Sequence, residues 1–114
     1  MNKTELRLTS TQEMDETTFY NFDIVADGQI IGCAQVNAES EDDEHAYVER
    51  IDIDEDFRNR GYGTDALREL SDKWYGIEIA PDNEDAKRLY ERLGEESTWD
   101  AADYIDQGYG VYRI

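Results

Sequence analysis

The sequence predicts an α+β fold on one mixed α/β sheet: antiparallel N-terminal strands, then a βαβ crossover, then a second helix. Three observations carry this. Residues 4–9, 19–26 and 29–37 alternate apolar and polar side chains, and Asp27-Gly28 between the last two is a two-residue hairpin signal. Residues 46–53 carry β-branched side chains and run through a turn bearing arginine and glycine into a helical pattern at 64–74. One short apolar strand then separates that helix from a second helical pattern at 84–93, so strand and helix alternate after residue 46.

Taken in order, residues 4–9 (TELRLT) form a first strand with Leu6 and Leu8 inward. Residues 10–18 are polar and turn-like. Residues 19–26 and 29–37 form the hairpin, and Gly32 marks a bulge in its returning strand. Residues 38–44 make an acidic loop; His45, the only histidine, stands at its end and is given no role. In 46–53 simple alternation puts Tyr47, Glu49, Ile51 and Ile53 on one side. Asp54-Glu55-Asp56 leaves the strand, and residues 58–63 turn the chain. Ala66, Leu67, Leu70 and Trp74 then form one helical stripe. Residues 75–80 (YGIEIA) are a short strand with Ile77 and Ile79 on one side. Pro81-Asp82-Asn83 ends it and starts a helix. Either Asp82 or Asn83 serves as N-cap, and Glu84 and Asp85 suit the positive end of the dipole. Ala86, Leu89, Tyr90 and Leu93 line one face, and Gly94 stands at the stop. Residues 95–107 fit a short helix or an irregular strand, and 108–114 a terminal strand.

The 114 residues are expected to form a single domain, 1–114. No apolar run has membrane-spanning length and no signal-peptide core is visible, which leads to the expectation of a soluble, cytoplasmic protein without membrane association. The lone cysteine, Cys33, excludes an internal disulfide and a zinc cluster and reads as a small core or strand residue; no metal is expected. Lys+Arg is 11 and Asp+Glu is 29, a net charge of −18, and only Lys3, Lys73 and Lys87 are lysines. Two readings of this charge stand: a surface adapted to a salt-rich cytoplasm, or an acidic binder of basic partners. Hydrophobic residues at 39% and aromatic residues at 11% argue for a folded core. The even spread of acids and the scarcity of lysine favour the halophile-like reading. With no basic patch, direct nucleic-acid binding is not expected.

Chemistry concentrates at the strand–turn–helix unit around residues 46–74. A tight turn that opens a helix gathers free backbone N–H groups, and the helix dipole adds positive potential, so the place suits an anion. Glycines let a phosphate approach with no Cβ in the way. There is no Gly-Lys-Ser/Thr of a P-loop and no third glycine of a dinucleotide fingerprint.

Two segments combine into a resemblance. Arg58-x-x-Gly61-x-Gly63 opens the first helix, and Asn83-x-x-Ala86-x-x-Leu89-Tyr90-Glu91-Arg92-Leu93-Gly94 follows after one more strand. The pair resembles the GNAT superfamily of acyl-CoA-dependent N-acetyltransferases, whose pyrophosphate motif is Q/R-x-x-G-x-G/A and whose second motif is an asparagine-to-tyrosine helix. The resemblance is close over residues 48–94 and implies a GNAT-like fold and acetyl-CoA (coenzyme A) as co-substrate. It implies that backbone amides of Arg58, Asn59, Arg60, Gly61, Tyr62, Gly63 and Thr64 hold the pyrophosphate, and that main-chain groups at Ile51 and Ile53 pair with the pantetheine arm. Asn83 falls on the asparagine that contacts the cofactor. Tyr90 falls on the residue that protonates the departing thiolate, and Glu49 on the carboxylate that deprotonates the amine.

Two departures stand out. Family members carry one or two helices between the first two strands, which wall the acceptor site; here only residues 9–18 fill that gap, so those helices are truncated or absent. The acceptor site is then open, or completed by a second subunit in a homodimer. The phenylalanine that usually follows the helix-ending glycine is Glu95. The reading that results is an N-acetyltransferase acting on a primary amine, small molecule or protein, by direct attack in a ternary complex. Its alternatives are a catalytically inactive acyl-CoA-binding regulatory or interaction module on the same fold, and an acidic interaction protein with no cofactor.

Overall fold

A computed structural model describes residues 4–39 and 46–114; His45 and most of the predicted acidic loop lie outside the described residues. Seven strands form one sheet: β1 (Glu5–Met14), β2 (Thr17–Ala26), β3 (Gln29–Ala38), β4 (Ala46–Ile53), β5 (Ile77–Ile79), β6 (Glu95–Glu96) and β7 (Tyr112–Arg113). Among the described residues three α-helices accompany them: α1 (Tyr62–Trp74), α2 (Glu84–Leu93) and α3 (Ala102–Ile105). The spatial order is β1-β2-β3-β4-β5-β7-β6. Among the described residues only β4 and β5 pair in parallel, across the crossover through α1, so the predicted mixed architecture holds.

The first strand runs well past residue 9. Residues 10–14, read as turn, continue β1, and Asp15 (φ 56) and Glu16 alone make the turn into β2. Polar residues extend the strand because every one of them finds a ladder partner on β2 as far as Met14↔Thr17. No helix stands between β1 and β2, as the short spacing required. Leu6 packs against the core, but Leu8 is 46% exposed. Helix α1 meets the edge strand at Leu6, whose backbone N–H reaches Glu69, and leaves Leu8 uncovered.

Asp27 (φ 51) and Gly28 (φ 77) make the hairpin turn, both left-handed as a tight two-residue loop demands. The bulge lies one residue from its predicted place. Ile24 faces Gly32 and Val25 faces Ile30, so Ile31 is the extra residue and is fully buried. Gly32 is glycine for another reason, since a Cβ there would run into the Asp52 carbonyl oxygen of β4. Gly32→Ala should therefore force β3 and β4 apart and cost about 2–3 kcal/mol, read as a lower urea midpoint at unchanged m-value.

The core forms between one sheet face and the helices. Ala66, Leu67, Leu70 and Trp74 are all buried, as their spacing required. Trp74 stands edge-on to Tyr20 (5.3 Å) and Phe22 (6.0 Å). Helix α1 starts at Tyr62, two residues before its apolar stripe suggests. The predicted strand at 75–80 shrinks to Ile77–Ile79, because Tyr75 (φ 57) and Gly76 (φ 120) turn the end of α1. Gly94 is extended and not left-handed. It is glycine because a Cβ would meet the Arg113 carbonyl oxygen of β7. Glu95 begins β6 and is exposed. The predicted terminal strand narrows to Tyr112–Arg113, since Gly108 (φ 101) and Gly110 (φ 87) belong to the preceding turn. The ambiguous stretch resolves into α3 and flanking irregular chain. Glu78, 1% exposed on β5, accepts a 2.9 Å bond from Arg113 Nη1, a pair that ties β7 to the sheet centre.

Candidate active site

The site grows from an irregularity in β4. Val36 faces Val48 and Gln35 faces Arg50, so Glu49 is an extra residue without a ladder partner on β3. That bulge reverses the side-chain alternation. Val48, Ile51 and Ile53 share the core face with Val36 and Ala34, while Tyr47, Arg50 and Asp52 share the other. The predicted common face of Tyr47, Glu49, Ile51 and Ile53 is therefore corrected: a period of two cannot survive an inserted residue. Beyond the bulge, β4 parts from β5, whose pairing covers only residues 46–48. The main-chain edge of 49–53 is left without a strand beside it among the described residues.

Two clefts open along this gap. One, of about 640 Å³, is lined by Ile51, Ile53, Arg58, Asn59, Gly61, Gly63, Thr64, Asn83 and Tyr90, with Asp82, Asp85 and Arg92 also on its walls. The other, of about 370 Å³, is lined by Glu49, Arg50, Asp52, Asp82, Tyr90 and Gln107. Tyr90 and Ile51 are the sequence-predicted residues that line both clefts, with Asp52 and Asp82 beside them. Arg60 and Tyr62 line neither: the Arg60 guanidinium sits 5.7 Å from the Phe57 ring, and the Tyr62 ring is buried against Phe57.

The N-terminus of α1 is built to accept a ligand's acceptor atoms. Asn59 (φ 62) and Gly61 (φ 86) are left-handed, and the first helical bond is Asp65 N–H to the Gly61 carbonyl, 3.1 Å. The N–H groups of Tyr62, Gly63 and Thr64 come before it, and no side chain caps them. Helix α2 is the contrast. Its end is sealed by Asn83, whose Oδ1 accepts from Ala86 N–H at 2.8 Å while its Nδ2 donates to Asp82 at 3.0 Å. Asn83, not Asp82, is thus the cap. Arg58 donates from Nε to the Ile53 carbonyl (2.7 Å), which fixes the guanidinium at the lip of the larger cleft.

Burial separates the two candidate proton-transfer residues. Tyr90 is 8% exposed, and burial, reinforced by the Asp82 carboxylate, pushes its hydroxyl up to about 12. It therefore keeps its proton across the physiological range. Glu49 is exposed at the mouth of the smaller cleft and accepts a 2.5 Å hydrogen bond from the Tyr47 hydroxyl. Burial raises the Tyr47 hydroxyl above the usual tyrosine range, with the Glu49 bond and charge adding to it. Sequence reasoning missed three features of the clefts: Tyr47's link to Glu49, Asp82 as a wall, and Gln107. The Tyr-x-Glu spacing was the one visible signal. Gln107 sat in a stretch whose pattern fixed nothing.

The opposite face of the N-terminal strands is polar. Gln35 Nε2 donates to Asn21 Oδ1 (2.9 Å) and Asn21 Nδ2 to Ser10 Oγ (3.2 Å), beside an Arg50–Asp52 ion pair.

A splayed parallel pair, an uncapped helix N-terminus at its mouth and a tyrosine where two clefts meet thus stand together along one gap in the sheet. The chain belongs to the acetyltransferase (GNAT) family, whose model matches residues 2–94. No curated protein matches it in sequence. Among solved structures it is similar to a GNAT family acetyltransferase from Elizabethkingia anophelis with acetyl-CoA bound: 16% identity, TM-score 0.60, covering 84% of this chain and 75% of that one. It is similar to the ribosomal-protein-S18-alanine N-acetyltransferase from Escherichia coli (24% identity, TM-score 0.57, 75% of this chain and 57% of that one). A third is an acetyltransferase of the GNAT family from Staphylococcus aureus Mu50 (15%, TM-score 0.59, 83% and 66%). The chain thus spans between about half and three quarters of these proteins' length.

Proposed function

We propose that this chain transfers an acetyl (acyl) group from acetyl-CoA to a primary amine, by direct attack in a ternary complex, in a salt-rich cytoplasm. One observation carries it: the Tyr90 side chain lies where a cleft beside an uncapped helix N-terminus meets a second cleft holding a carboxylate. The residues fit the cofactor. The larger cleft offers main-chain groups of Ile51 and Ile53 for an amide-bearing arm, the Ile53 carbonyl being already taken by Arg58 Nε, and main-chain donors at 61–64 for a diphosphate. When bound, acetyl-CoA supplies a thioester carbon to the acceptor nitrogen. Glu49 takes the proton the amine must lose, and its exposure gives that proton a way out to water. Tyr90 holds a proton for the leaving sulfur. Main-chain N–H groups of β4 polarise the carbonyl. The acceptor is the amine of a small molecule or of a protein. Support for an open acceptor side comes from the direct β1–β2 turn, which has no helix between the two strands.

The test is release of free CoA thiol that depends on an added amine. Binding without amine-dependent release would favour the second reading, an acyl-CoA-binding module without turnover, which the same missing helices motivate.

Salt gives an independent check. A chain of net charge −18 repels an anionic cofactor at long range, but the Debye length shrinks from about 10 Å at 0.1 M to about 3 Å at 1 M salt. Contact hydrogen bonds at the helix end survive that screening. Acetyl-CoA affinity, followed by calorimetry, should rise about tenfold from 0.1 to 2 M KCl. A steady fall with the fold intact would contradict the reading.

A further inference from the structure

We propose that Tyr47 is a positioning residue: its hydroxyl holds the Glu49 carboxylate in the acceptor cleft, and Trp99 holds Tyr47. The proposal rests on the reading of Glu49 as base. Glu49 sits on the bulge, so no ladder partner on β3 fixes its backbone and its side chain needs a tether. Tyr47 is the opposite case. It lies on the central stretch of the sheet, facing Asn37 on β3 and Glu78 on β5. From that anchored position its hydroxyl donates to Glu49 Oε1 at 2.5 Å. Oε2 is then the oxygen left to face an incoming amine. The Tyr47 ring is backed by Trp99, with centroids 6.4 Å apart at 46°. Trp99 itself is set by a turn in which its N–H donates to Ser97 Oγ (3.1 Å) and its carbonyl accepts from Ala102 N–H (3.0 Å). The segment after β6 thereby backs the residue that holds Glu49.

A phenol that donates to a carboxylate fixes where that carboxylate points, so removing the hydroxyl frees Glu49 to leave the orientation an amine needs. The other ionisable groups lining the cleft are Arg50, Asp52, Asp82 and Tyr90, with Arg50 bound to Asp52. Tyr47→Phe touches none of them.

The experiment follows the Glu49 side-chain carboxyl carbon by NMR at one fixed pH in glutamate-labelled protein, the signal assigned by its loss in Glu49→Gln, with kcat and acetyl-CoA affinity measured alongside. In Tyr47→Phe that signal should shift, kcat should fall about 3–10-fold, and acetyl-CoA affinity should stay within about twofold. Trp99→Leu should shift the signal in the same direction by less. Tyr47→Phe should add no further loss of kcat in the Glu49→Gln background. An unmoved signal in Tyr47→Phe overturns the proposal whether or not the protein turns over. A shifted signal with full turnover in Glu49→Gln leaves the Tyr47–Glu49 tether standing and removes the base assignment instead.

Discussion

Tyr90→Phe is expected to lower turnover about 10²–10⁴-fold while acetyl-CoA affinity stays within about a factor of two. Only the hydroxyl is removed. The ring remains, and it is the ring that belongs to the buried core cluster. The fold should therefore survive, and thermal melting of the two proteins should nearly coincide. The split between kcat and binding is the informative part, since a donor needed only as sulfur departs contributes little before that moment. The pH profile supplies the sign. A hydroxyl pushed up to about 12 stays protonated well above neutrality, so Tyr90 contributes no falling limb below about pH 11. A Tyr90→Phe protein with unchanged kcat would assign the tyrosine to packing alone.

Gly61→Val should weaken acetyl-CoA binding by at least about 100-fold, the largest effect expected of any single change at the nest. Gly61 holds φ 86 as the residue that opens α1. A β-branched residue resists that conformation at a cost of roughly 1–3 kcal/mol, and the relaxed turn no longer aims the amides of Tyr62, Gly63 and Thr64 into the cleft. Its branches also occupy space a diphosphate needs. Some stability is lost as well, a drop in Tm of several degrees for a chain this size, so binding is read well below the lowered melting point. Gly63 makes the comparison useful. A Cβ there meets only Ile53 Cγ1 at 3.8 Å, an ordinary contact, which places the conformational demand at Gly61.

Much of the fold was legible because local rules and tertiary demands agreed. Asp27-Gly28 could only be a tight hairpin turn, and the Ala66–Leu67–Leu70–Trp74 stripe could only be the buried face of a helix. The order of elements after residue 46 followed from alternating periods. What stayed hidden depended on neighbours distant in sequence. Residues 10–14 are polar, and only β2 beside them makes them strand. Gly32 and Gly94 look like a bulge and a helix stop, but each is glycine because another strand's carbonyl passes where a Cβ would stand. At the site, the pairing of Arg58-x-x-Gly61-x-Gly63 with the asparagine-to-tyrosine helix pointed to the cleft that Gly61, Asn83 and Tyr90 do line. The bulge at Glu49 was invisible, because no residue type announces it and alternation reads straight through it. With it went the true partners of Glu49.

The most direct measurement is a crystal structure of the protein with acetyl-CoA in concentrated KCl. The diphosphate should lie on the backbone N–H groups of residues 61–64, with the extended arm beside Ile51 and Ile53 and the sulfur within hydrogen-bond reach of the Tyr90 hydroxyl. A cofactor seated elsewhere, or a sulfur out of reach of Tyr90 with the strand edge at 49–53 left bare, would contradict the proposed chemistry at its source.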